Sequence, residues 1–139
     1  MKYNIFAAFF IYLFSFSAKS DFYDYSLGHI VDSCSIILKS PNPDAKPDEM
    51  IEGRKNYRVC YNFIMSLSTT LNGRCMNPEK SDLSPEEALT YADLSDVNST
   101  VELVMEIIKY ANNNPQFINQ TAWLHAAKAL SQKWPCDKL

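Results

Sequence analysis

Apolar residues recur along most of this chain at offsets of three and four, the spacing that builds one face of an α-helix. Leu27, Ile30, Val31, Cys34, Ile37 and Leu38 form the first such stripe. Ser40-Pro41-Asn42-Pro43 ends it, because each proline lacks an amide donor and restricts the residue before it. A second helix is predicted from about Asp48 to Leu71. Its inner stripe is Cys60, Phe63, Ile64, Leu67 and Leu71, extended backwards by Tyr57 and Ile51. Asn72-Gly73 predicts its stop, since glycine readily takes the left-handed terminal conformation. Ser84-Pro85-Glu86-Glu87 reads as the start of a short helix reaching about Ala92, with a serine cap and proline at the first position.

Ser99-Thr100-Val101-Glu102 has the form of a capping box. It opens a helix whose stripe is Val101, Val104, Met105 and Ile108, widened by Leu103 and Ile107. Asn112-Asn113-Asn114-Pro115 closes that helix. A last one begins near Thr121, with Trp123, Ala127, Leu130 and Trp134 on one face, and Pro135 hands the chain to Cys136. Strand-like alternation is hard to find. The pattern predicts an all-α fold, a compact bundle of four main helices plus a short one.

The N-terminus changes how much of the chain enters that bundle. Lys2 precedes an apolar run from Ile5 to Phe14, followed by the small residues Ser15, Ser17, Ala18 and Ser20. The run is shorter than the roughly 20 residues of a membrane-spanning helix and fits a secretory signal. Residues 1–20 are expected to be a signal peptide cleaved near Ser17 or Ser20, leaving 21–139 as a single domain. No second apolar run of spanning length follows, so no membrane attachment is expected after cleavage.

The chain carries 13 basic and 16 acidic side chains. Without Lys2 and Lys19 the remainder holds 11 against 16, formally −5. That balance disfavours nucleic acid and anionic membranes and suits a basic protein surface. Export also decides how the four cysteines are read. In an oxidising compartment Cys34, Cys60, Cys75 and Cys136 form a two-disulfide framework with three possible connectivities. Cys34 and Cys60 sit inside consecutive helices that a hairpin brings together. Cys75 and Cys136 each follow the end of a helix. The layout therefore predicts Cys34–Cys60 and Cys75–Cys136, each stabilising by roughly 3–4 kcal/mol. A metal site is not expected, because no cysteine pair has CxxC spacing and neither His29 nor His125 lies at ligand spacing from one.

Catalytic chemistry finds little purchase. His29 precedes the apolar Ile30–Val31 pair and His125 lies in an alanine-rich helix, with no nucleophile–base pair evident. Glu86-Glu87 is explained by the helix dipole, and Gly28, Gly53 and Gly73 make no phosphate loop. The reading is a non-enzyme without cofactor. For a partner, the sequence offers the stretch between Met76 and Asp96, where Glu79, Asp82, Glu86, Glu87, Asp93 and Asp96 stand against a single Lys80. With Tyr91, an aromatic anchor if exposed, these residues are the expected contact for a basic cleft.

The order of landmarks resembles the Rap/Tai family of immunity proteins against type VI secretion amidase effectors. The resemblance is carried by Cys34, by Cys60-Tyr61 and by Cys75-Met76-Asn77-Pro78. It continues through Val104 to Tyr110 with Pro115, then Ala126-Ala127-Lys128-Ala129-Leu130 and Trp134-Pro135-Cys136. It covers most of the chain after the signal, and its C-terminal half is the more specific part. Ser66 and Ser68 stand near where the family has a glycine. The resemblance implies a periplasmic non-enzyme, often a homodimer, that binds a cell-wall amidase and blocks its cleft.

A different class shares this length and composition: the secreted helical carriers of small hydrophobic ligands, similar to insect odorant-binding proteins. On that alternative Phe63, Met65, Met105 and Trp123 would line a lipid pocket.

Overall fold

A computed structural model of the chain describes residues 25–39, 44–76 and 91–136. The expected signal peptide lies outside them. So does most of the short helix predicted from Ser84; its last two residues, Tyr91 and Ala92, are described and are not helical. Among the described residues four helices make the bundle: α1 (Leu27–Ser35), α2 (Pro47–Met76), α3 (Thr100–Asn113) and α4 (Ala122–Lys133). Short 3-10 turns follow α1 (Ile36–Leu38) and α3 (Pro115–Phe117). The fold is all-α, stapled by Cys34–Cys60 and Cys75–Cys136.

α1 starts where Ser26 accepts a hydrogen bond from the His29 amide at 3.2 Å, relieving one of the amides that lack an intrahelical partner. Leu27, Ile30 and Cys34 are buried as predicted. Leu38 is exposed instead. The backbone tightens to three residues per turn at Ile36, so the stripe falls out of phase there.

α2 is the longest element, about 45 Å at 1.5 Å per residue. Pro47 occupies its first position, Asp48 and Glu49 its first turn, and the Lys46 amide donates to Glu49 Oε2 at 3.3 Å. Cys60, Phe63, Ile64, Leu67 and Leu71 line the core as predicted. Two expectations fail. The helix does not stop at Asn72-Gly73 but runs to Met76, and no glycine takes positive φ. Cys75, one turn past Leu71, continues the buried stripe, and its bridge to Cys136 holds the final turn. That outweighs the roughly 1 kcal/mol that glycine costs inside a helix. Ile51 and Tyr57 are also exposed. Ile51 precedes Cys60 by about two and a half turns and so points to the opposite side.

α3 is capped by Ser99, whose hydroxyl accepts from the Val101 amide at 3.1 Å. It buries Leu103, Val104, Ile107 and Ala111, leaving Val101 and Met105 in solvent. The helix is apolar around more than half its circumference, so periodicity alone did not choose the face. On α4, Ala122, Ala126, Ala127 and Ala129 are buried with Leu130, while Trp123 and Trp134 pack half-buried at the margin.

A backbone clasp joins the two ends of this arrangement. Leu27 and Gly28 donate to the carbonyls of Gln120 and Ile118, at 2.8 and 2.7 Å, and the Ala122 amide donates to Tyr25 at 2.8 Å. Ser26 and Thr121 face each other in an antiparallel bridge. The first amides of α1 and α4 thus find partners in each other's lead-in segments.

Candidate functional site

The acidic stretch divides at the limit of the described residues. Glu79, Asp82, Glu86 and Glu87 lie outside them, while Tyr91, Asp93 and Asp96 lie inside. Tyr91 is only 3% exposed, so the aromatic anchor expected there is a core side chain and not a contact. Its burial follows from how this strand of chain is drawn onto the body. The Asp93 amide donates to the Trp134 carbonyl at 2.9 Å, the Leu94 amide approaches Asn72 Oδ1 at 3.4 Å, and Ala92 and Leu94 enter the core. Asp93 and Asp96 do face solvent. Asp93 Oδ1 accepts from the Ser95 hydroxyl at 2.6 Å and its amide at 3.1 Å, which fixes a tight Asx-type turn.

Leu94 and the segment from Val97 into the first turn of α3 form one wall of an open groove of about 520 Å³, and the C-terminal half of α2 forms the other. Met65, Ser68, Asn72, Leu94, Val97 and Leu103 are among its lining residues. The hydroxyls on the α2 side are engaged by their own helix: Ser68 and Thr69 both donate to the Met65 carbonyl, at 3.2 and 2.8 Å. Asn72, Asn98 and Thr100 add polar side chains to the lining, with Asn72 Oδ1 near the Leu94 amide and Asn98 Nδ2 donating to the Asp96 carbonyl at 3.1 Å.

Beside the groove, α2 presents an exposed face that includes Tyr57, which the sequence pattern assigned to the core. Met50, Arg54, Tyr57, Tyr61 and Met65 follow one another at offsets of four, three, four and four, all exposed. Tyr57 and Tyr61 stack with centroids 5.9 Å apart. Arg58 stands exposed beside them, and Met65 joins this ridge to the lip of the groove. From Gly53 to Met76 the helix carries Arg54, Lys55, Arg58 and Arg74 and no carboxylate. That one-signed run was visible in the sequence.

The histidines take structural positions. His29 is exposed and stacks on Tyr25 at 4.7 Å. His125 is 2% exposed, stacked on Phe117 at 4.4 Å, with Nε2 2.9 Å from Gln120 Oε1 and Nδ1 3.4 Å from the Tyr110 hydroxyl. Burial, and then the charge of Lys128, hold its pKa below the usual imidazole value; burial raises that of Tyr110. This cluster ties the clasp strand at Gln120 to α3 and α4.

The four side chains proposed for a lipid pocket do not meet around one enclosed space. Phe63 is buried and touches Trp123 edge-on at 6.1 Å, whereas Met65 and Met105 stand in solvent. Among the described residues no group of three His, Cys, Asp or Glu could hold a metal ion, and no helix is long and apolar enough to cross a membrane. No family model, no curated protein and no solved structure matches the chain.

Proposed function

We propose that this chain is a periplasmic immunity protein that binds and sterically blocks a peptidoglycan amidase delivered by a type VI secretion system. The observation that carries the reading is the combination of a doubly stapled body with exposed aromatic and methionine side chains on its longest helix. Cys34–Cys60 locks α1 to α2, and Cys75–Cys136 locks the end of α2 to the C-terminal segment. A body held in this way loses little conformational freedom when it docks, so more of its contact energy appears as affinity. Tyrosine, arginine and methionine are the side chains that protein interfaces favour. The amidase as target comes from the Rap/Tai resemblance in Cys60-Tyr61, the Val104–Tyr110 helix and Trp134-Pro135-Cys136.

Occlusion of an enzyme cleft requires a complex that outlasts the enzyme's exposure to cell wall, which sets the expected Kd near nanomolar, about −12 kcal/mol. The test is a peptidoglycan-hydrolysis assay with a type VI amidase from the same genome, titrated with the oxidised chain lacking residues 1–20. Stoichiometric inhibition is expected. Undiminished hydrolysis at micromolar inhibitor would end the proposal, as would cell-wall hydrolysis by the chain itself.

A further inference from the structure

We infer that the partner is gripped by the cationic, tyrosine-bearing ridge of α2, and that the matching partner surface is acidic around an apolar centre. This rests on the reading of the chain as a protein that docks on an amidase, and it reverses the polarity expected of that contact. The acidic stretch pointed to a basic cleft; of its described members Tyr91 is buried, Asp93 is engaged in its own turn, and Asp96 is left as an exposed carboxylate without the aromatic anchor expected beside it.

The ridge has what an anchor region needs. Tyr57, Tyr61 and Met65 form an apolar line at successive turns, Met50 extends it two turns back, and Arg54 and Arg58 stand within and beside it. Stacking of Tyr57 on Tyr61 holds both rings before any partner arrives, reducing the entropy lost on contact. Neither arginine is engaged in an ion pair among the described residues, where the pair present is Lys109–Glu106 at 3.7 Å. The carboxylates at the start of α2 do not neutralise the ridge. Glu49 is turned to the Lys46 amide, and Asp48 and Glu52 lie about two and a half turns before Tyr57 and Tyr61 respectively, on the opposite side.

The same charge pattern argues against a second copy as occupant. A two-fold axis through the Tyr57–Tyr61 centre of the ridge sets the Arg58 side chains of the two copies beside each other, a contact of like charges. An anionic bilayer would satisfy the charge. Tyrosine with arginine, and the adjoining groove at Met65, suit a protrusion of a folded protein better than a lipid surface.

Two measurements with the oxidised full-length mature chain test the inference. The first compares amidase binding by wild type, Arg54→Glu/Arg58→Glu, Tyr57→Ala/Tyr61→Ala and Asp93→Asn/Asp96→Asn. All these side chains are exposed, and unchanged circular dichroism confirms the fold. Each ridge variant should lose roughly 100-fold in affinity and the Asp pair less than about threefold. Binding unaltered in both ridge variants, or lost only with the Asp pair, overturns the ridge while leaving the inhibitor reading in place.

The second measurement does not depend on the amidase. A displayed library of random dodecapeptides is selected on the wild-type chain. Peptides rich in Asp or Glu with aromatic residues should emerge, and should fail on Arg54→Glu/Arg58→Glu. Neutral or basic peptides that bind both proteins equally overturn the inference, whatever the amidase does. So does ridge-dependent binding to vesicles of one part phosphatidylglycerol in four of phosphatidylcholine, or ridge-dependent dimerisation in sedimentation.

Discussion

Gly28 and Gly73 are the same residue type in helices, yet their surroundings make opposite demands. A Cβ on Gly73 would meet nothing within 4 Å, and its backbone is helical. A Cβ on Gly28 would come within 3.0 Å of Ile118 Cγ1 and 3.2 Å of the Ile118 carbonyl, the group that its own amide bonds. Gly73→Ala should therefore raise the unfolding free energy by about 0.5–1 kcal/mol, and Gly28→Ala should lower it by about 1–3 kcal/mol. Urea titration of both variants decides this, and equal effects would contradict the clasp geometry. His125 supplies a residue-scale prediction in pH. Its folded pKa lies below that of the unfolded chain, so its contribution is complete above about 6.5 and is lost as pH falls through the lower folded value. Stability should decline on acidification from pH 7 to 5, and the part of that decline due to His125 should vanish in His125→Gln. A slope unchanged by the substitution would mean that the ring is already accessible in the native state.

At the scale of elements, cysteine placement was legible and helix limits less so. Cys34 and Cys60 lie on the buried stripes of two helices joined by a proline-rich loop, so the hairpin implied by the sequence brings them together. The Cys75–Cys136 pairing holds, but the expected helix end before Cys75 does not. Cys75 does not follow α2 but belongs to its last turn, because burial and the bridge overrule the local signal of Asn72-Gly73. Removing that bridge tests its weight. The loop that it closes spans 61 residues, and Cys75→Ser/Cys136→Ser should cost about 4 kcal/mol, lowering Tm by roughly 10 °C or more. The last turn of α2 should also lose amide protection in hydrogen exchange. Full protection of residues 72–76 in the double serine variant would show that the helix passes Gly73 without the bridge.

For the whole molecule, the consequence of the fold is a difference between what is stapled and what is displayed. The disulfides and the Ser26–Thr121 clasp secure α1, the middle and end of α2 and the C-terminal segment. The N-terminal part of α2 carries its tyrosines and arginines outward. Helical class, the cap at Ser99, the stripe from Cys60 to Leu71 and the cysteine pairing could all be read from the chain. They depend on offsets of three and four and on side chains bonding amides two or three residues away. The exposure of Tyr57, the face α3 buries, the burial of Tyr91 and the clasp were decided only when the helices packed. An apolar residue can satisfy a helical period on several faces, and only a neighbouring element determines which of them leaves water. A free amide at a helix start likewise carries no mark in the sequence of the distant carbonyl that will accept its hydrogen bond.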